Sequence, residues 1–240
     1  MKIFPRLLLA LLVSVLLVSA SGCSHTPEKK DSPKKSSFSV KSLAKSDIDS
    51  VLDIHVQEIR GYLREMMIKL YKRNPRELEK SGYHEIEKNV ARVFDEQHNW
   101  KFAELQNSKG IAAIYLAFDQ AYAGDRVFAL IVGLTSMIMA AYDNKTEFFM
   151  LDNVDPQKLY NSARNIEIVM WKLRHDVGID GRPYLYTNSL PGEQTNLSYE
   201  RLFGKMIATQ DNIAIIVADS TNRVIKKVIQ QMATAVFLPI

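Results

Sequence analysis

A single cysteine, Cys23, occurs in 240 residues, which excludes an internal disulfide and any fold stapled by crosslinks. Glycine-rich phosphate loops are absent, and so are His-Glu-x-x-His and Gly-x-Ser-x-Gly, the patterns of nucleotide cradles, zinc peptidases and serine hydrolases. Histidine is sparse: His25, His55, His84, His98 and His175 are scattered along the chain. His84 and His98 share one polar row with Glu87, Lys88 and Asp95. Their separation of fourteen residues is ~21 Å along a helix, too far to hold one ion. No metal and no cofactor are therefore expected. Clean period-two alternation is missing as well, which argues against a sheet.

What is present begins with a leader. Lys2 and Arg6 precede an apolar core from Leu7 to Val18, and the small residues Ala20, Ser21 and Gly22 lead to Cys23. The apolar core falls short of the ~20 residues that a membrane-spanning helix needs. Ala20-Ser21-Gly22-Cys23 resembles the lipobox of bacterial lipoprotein precursors, with alanine in the first position where leucine is usual. The resemblance implies cleavage before Cys23, a diacylglycerol on its sulfur and an acyl chain such as palmitate on its new amino group. It also explains a lone thiol, which lipidation consumes. Several acyl chains at ~0.8 kcal/mol per buried methylene give stable attachment, where one chain is marginal. Ser24 stands where enterobacterial lipoproteins retained at the inner membrane carry aspartate, so the resemblance points to the outer membrane, facing the periplasm. The expected division is a signal peptide over 1–22, lipidated Cys23 with a basic tether over 23–46, and one helical domain over 47–240.

Residues 24–46 are rich in Ser, Lys and Pro, a composition that buries too little surface to offset chain entropy. Of 31 basic residues, two lie in the leader and six in this tether, which also holds two of the 27 acidic ones. The remaining 23 and 25 leave residues 47–240 near −2, although the whole chain has a pI of 9.0. A nucleic-acid surface needs basic charge clustered on the folded body, so no nucleic-acid partner is expected.

From Ser46 onward the periodicity is helical. Ile48, Leu52, His55, Ile59, Tyr62, Met66 and Leu70 predict a helix to about Lys72, with Asp47 and Asp49 at its positive end, His55 as a core histidine and Gly61 under a close neighbour. Asn74 as cap and Pro75 at the first position restart a short helix that Gly82 ends. Residues 83–97 predict another, with Tyr83, Ile86, Val90, Val93 and Phe94 inward. Residues 111–142 read as a helical hairpin whose second arm is buried on all sides, with Gly133 and Ala129 admitting a neighbour; a second membrane insertion is the alternative. Asp155-Pro156 opens a helix carrying Leu159, Ala163, Ile166, Met170 and Leu173. Ser198 is expected to cap a helix to Ala218. A last helix is expected from about Asn222 with Val224, Val228, Met232 and Ala235 on one side, followed by an end that packs on the core.

The fold class is thus all-α: about seven helices in a bundle or hairpin array around a central buried helix. LAFDQAYAGDRVFAL (116–130) resembles the helix-turn-helix of a tetratricopeptide unit, and the Asn74-Pro75 junction resembles the break between two such units; these fragments cover less than a tenth of the chain, with no second copy about 34 residues away.

The long loop 178–197 carries three of the ten glycines and two of the eight prolines, and such loops are often functional. Its Arg182, Tyr184 and Tyr186 are the side chains best suited to a partner. His175 and Asp176 beside it are the acid–base candidates, although neighbours on a helix point about 100° apart. The expectation is a lipid-anchored envelope protein that is not catalytic, an adaptor or chaperone-like module for a protein partner. The alternative is a cell-wall-acting enzyme or a small-ligand domain with a pocket near His175.

Overall fold

Ser46 opens the first helix, α1 (Asp47–Arg73), with a reciprocal cap: its hydroxyl accepts from the Asp49 amide at 3.3 Å, and its own amide donates to the Asp49 carboxylate at 2.7 Å. A computed structural model describes residues 46–149, 152–189 and 192–240, so the leader, Cys23 and the tether up to residue 45 lie outside the described residues. On α1, Leu52, Val56, Ile59, Leu63, Met66 and Leu70 are buried. The stripe therefore passes through Val56 and Leu63, and His55 and Tyr62 stand half-buried at its margin. His55 is not a satisfied core residue, because its Nδ1 is buried without a hydrogen-bond partner. Gly61, expected under a neighbour, is exposed, with nothing within 4 Å of where a β-carbon would stand.

Pro75 starts α2 (Pro75–Lys80) as expected, but Asn74 does not cap it. Its carboxamide accepts from the Tyr186 amide at 2.7 Å and donates to the Tyr186 carbonyl at 2.8 Å, holding the long loop. The next helix, α3 (Ile86–Phe94), starts three residues later than predicted. The Ser81 hydroxyl accepts from the Tyr83 amide at 3.0 Å and donates to its carbonyl at 2.8 Å, which fixes that residue in a turn. Tyr83 is consequently exposed, lying 4.6 Å beneath the Arg92 guanidinium.

The hairpin forms from α4 (Ile111–Ala117) and α5 (Arg126–Ala141). Asp125 caps α5 by accepting from the Phe128 amide at 2.9 Å, and α5 is buried on every face from Arg126 through Met139. Gly133 is where α4 comes closest: an added β-carbon would stand 2.7 Å from the Ile114 main-chain nitrogen. No described helix is long and apolar enough to cross a membrane. Then follow α6 (Pro156–His175), capped by Asp155, and α7 (Ser198–Thr221), in which Ser198 is the first helical residue rather than a side-chain cap. The four longest helices close a ring: α1 packs on α5, α5 on α6, α6 on α7 and α7 on α1. Among the described residues there are seven α-helices and no strand, so the fold is all-α.

The expected last helix is absent. After Asn222, which ends α7, residues 223–240 form no α-helix and hold only a 3-10 turn at Met232–Thr234, and Val224 and Ile229 are 89% and 100% exposed. The reason lies on α6. Gln157 exchanges both amide hydrogen bonds with Lys226 (2.7 and 3.1 Å), and Asn165 does the same with Leu238 (2.7 and 2.9 Å). The Tyr160 hydroxyl accepts from the Val228 amide at 3.2 Å, and Asn161 donates to the Pro239 carbonyl at 2.8 Å. This row offers hydrogen bonds to a main chain, which only an extended segment can use; a helix would bond its own groups internally. As expected, the end of the chain returns to the core through half-buried Phe237 and Ile240.

Candidate binding groove

Where α6 ends, its polar and apolar residues part around a half-open groove of about 600 Å3 shared with α7. Met170, Trp171, Leu173, Tyr199, Phe203 and Ile207 form its apolar wall, and Met232 of the terminal segment forms one lip. At the far end, the Asn188 amide donates to Glu200 Oε1, and Arg174 lies 3.9 Å from the same oxygen. The Asn188 side-chain oxygen Oδ1 and Glu200 Oε2 are buried with no hydrogen-bond partner. The groove therefore joins an apolar wall to two unused acceptors. Burial of a polar atom without a partner is costly, and an incoming N–H donor would relieve it.

His175 borders this groove, exposed, with its ring stacked on Trp171 at 4.4 Å and 16°. Its Nδ1 lies 2.8 Å from the Trp171 carbonyl, which can only accept, so Nδ1 carries the hydrogen. Asp176 pairs with Lys172 and not with the imidazole. The pair named from the sequence is thus not assembled as an acid–base couple. His98 is likewise structural. Its Nε2 donates to the Val93 carbonyl at 3.0 Å and its Nδ1 accepts from the Trp100 amide at 3.0 Å, which fixes the neutral tautomer. Asp95 pairs with Arg64. Among the described residues no cluster of three or more His, Cys, Asp or Glu could hold a metal.

The loop residues do not converge. Arg182 is exposed, 4.0 Å from Asp180. Tyr184 is half-buried: its hydroxyl donates to Gln120 at 3.2 Å, its ring meets Phe118 edge-on, and Arg126 lies 4.8 Å above it. Tyr186 lies under Arg76 at 5.9 Å, its main chain gripped by Asn74. Arg182 and Tyr184 line one hollow, and Tyr186 another beside the groove. The residues that do line the groove, Trp171, Phe203, Ile207, Asn188 and Glu200, were not singled out from the sequence. The available signal was Trp171, a large aromatic one position off the apolar stripe of its helix and four before His175.

A buried carboxyl with a raised pKa lies elsewhere. Burial pushes the Asp125 carboxyl up to about 7, against hydrogen bonds from the Tyr71 hydroxyl (2.6 Å) and the Phe128 amide that favour its charged form. Glu77, also buried, accepts from the Arg126 amide at 2.9 Å. The Arg126 guanidinium donates to the carbonyls of Ala117 (2.9 Å) and Tyr122 (2.8 Å), where α4 ends. Every partner in this network belongs to the fold, so it locks the hairpin to α1 and α2. No family model, curated protein or solved structure matches the chain.

Proposed function

We propose that the protein is a bacterial envelope lipoprotein, anchored through acylated Cys23 in the outer membrane and facing the periplasm, whose helical body is a non-catalytic adaptor or chaperone-like module for a protein partner. The observation that carries the partner reading is the half-open groove between α6 and α7, with its apolar wall and two unused acceptors. An apolar side chain of the partner would lie on Trp171 and Phe203, and an N–H donor beside it would reach Asn188 and Glu200. Reaction chemistry has weaker support, because His175 is committed to Trp171.

A small-ligand or cell-wall-acting domain is the second reading, favoured by the groove volume, which falls in the range of small-molecule sites. The test compares wild type with Ile207→Glu on the groove wall, crosslinked in membranes and analysed by mass spectrometry. The adaptor reading expects one reproducible protein adduct that the variant loses while its circular dichroism is unchanged. Equal capture by both chains overturns it, and a small molecule retained in native mass spectra of wild type alone favours the second reading. Intact mass tests the anchor separately: acyl chains on residue 23 are expected, and a bare residue 23 still joined to the leader removes that part of the proposal.

A further inference from the structure

The terminal segment is gripped by its main chain, which leaves its outward side chains free of any role in the fold. Those side chains are nevertheless apolar: Val224 is 89%, Ile229 100% and Val236 66% exposed. Arg223, Lys226 and Lys227 beside them are also exposed, and none is ion-paired with a described residue. Residues 222–240 contain no Asp or Glu, and their three cations contrast with 20 basic and 25 acidic residues over 47–221. The body is therefore electrically divided, with a basic and apolar strip on an otherwise net-negative surface. Exposed apolar groups beside unpaired cations have the chemistry of segments that rest in the headgroup region of anionic bilayers.

We propose that the outer side of residues 222–240 is a membrane-contact surface that seats against anionic phospholipid. The contact orients the body on its membrane, with Ile229 and Val224 entering the interface and Arg223, Lys226 and Lys227 on the headgroup phosphates. The net-negative remainder faces away. A protein partner for the same strip would need an acidic, apolar surface, and the test below tells the two apart. The inference is independent of what occupies the groove and shares with that reading only the membrane location.

The full chain, carrying the photo-crosslinker benzoylphenylalanine in place of Ile229, is reconstituted in vesicles of phosphatidylcholine with or without phosphatidylglycerol. A second chain carries it in place of Ile54, which is exposed on α1. Irradiation is expected to give lipid adducts at position 229, dependent on phosphatidylglycerol, and only background at position 54. Combined Arg223→Gln, Lys226→Gln and Lys227→Gln substitutions remove attraction that amounts, over three cations, to as much as about 100-fold in surface affinity, so the adduct should drop sharply. The three side chains are exposed and make no hydrogen bond or ion pair with a described residue, and unchanged circular dichroism establishes that the variant is folded. Lipid adducts at 229 no stronger than at 54, or equally strong after charge removal, overturn the proposal. So does a protein adduct at 229 in place of lipid when the same chain is irradiated in cells. The mass of residue 23 in these samples reports the anchor, so the two ideas fail separately.

Discussion

Asp125 couples the fold to pH through one buried carboxyl. Its ordinary value is 3.8 and burial raises it to about 7, so the folded state binds the proton more tightly than the unfolded chain does. Stability from this group is fully present below about pH 4 and is lost as pH rises through about 7. A shift of this size corresponds to something on the order of 4 kcal/mol. Asp125→Asn keeps an acceptor for the Phe128 amide and cannot ionise. Urea titrations of wild type and variant should therefore diverge as pH rises from 4 to 7, with the variant gaining relative stability; parallel curves would refute the assignment. The sequence shows Asp125 only as a charge interrupting an apolar region. Its cap on α5 is local, but that it also accepts from Tyr71 depends on a residue 54 positions away. Asn74 illustrates the same limit, since a cap and a clasp need the same carboxamide and only the distant loop decides between them.

Two glycines at the scale of the helix should respond in opposite directions. At Gly61 an added methyl meets nothing, and the helix interior favours alanine, so Gly61→Ala should raise stability by about 0.5–1 kcal/mol in thermal or urea unfolding. At Gly133 the methyl would press on the main chain of α4 at 2.7 Å, so Gly133→Ala should cost about 1–3 kcal/mol by the same measurement. Both glycines were read from the sequence as close-packing sites. Helical spacing does separate them: Gly61 shares its face with Gln57, Glu58, Arg64 and Glu65, whereas Gly133 shares its face with Ala129, Leu130 and Met137.

Helices α1, α5, α6 and α7 were legible because their apolar spacing is long and their starts carry Ser, Asp or Asp-Pro. The absent last helix was not, since Val224, Val228 and Met232 satisfy helical spacing as well as any segment does. The decision belongs to α6, whose Gln157, Asn161 and Asn165 look on paper like a solvated face. Removing one clasp with Asn165→Ala should speed exchange of the Leu238 amide by about tenfold, the effect of roughly one hydrogen bond. Unchanged exchange would mean that Phe237 and Ile240 hold the segment without it.

For the whole molecule, the ring of α1, α5, α6 and α7 implies a gradient of stability from centre to rim. The α5 helix is buried on every side and, beyond its first turn, bonds its amides within itself, so its groups reach water only when the ring comes apart. The terminal segment touches the ring along α6 through side-chain clasps and a few half-buried residues. Its release exposes little apolar surface and leaves the helical ring standing. Opening that exposes little surface has a small urea dependence, whereas global unfolding has a large one. Hydrogen exchange over a urea series should therefore separate the two. Amides of α5 are expected to exchange with the free energy and urea slope of global unfolding. Those of Lys226, Val228 and Leu238 should open at lower free energy with a slope near zero. If all share one free energy and one slope, the terminal segment belongs to the cooperative core, and its exposed valines and isoleucine are presented on a fixed surface rather than on a strap that can lift.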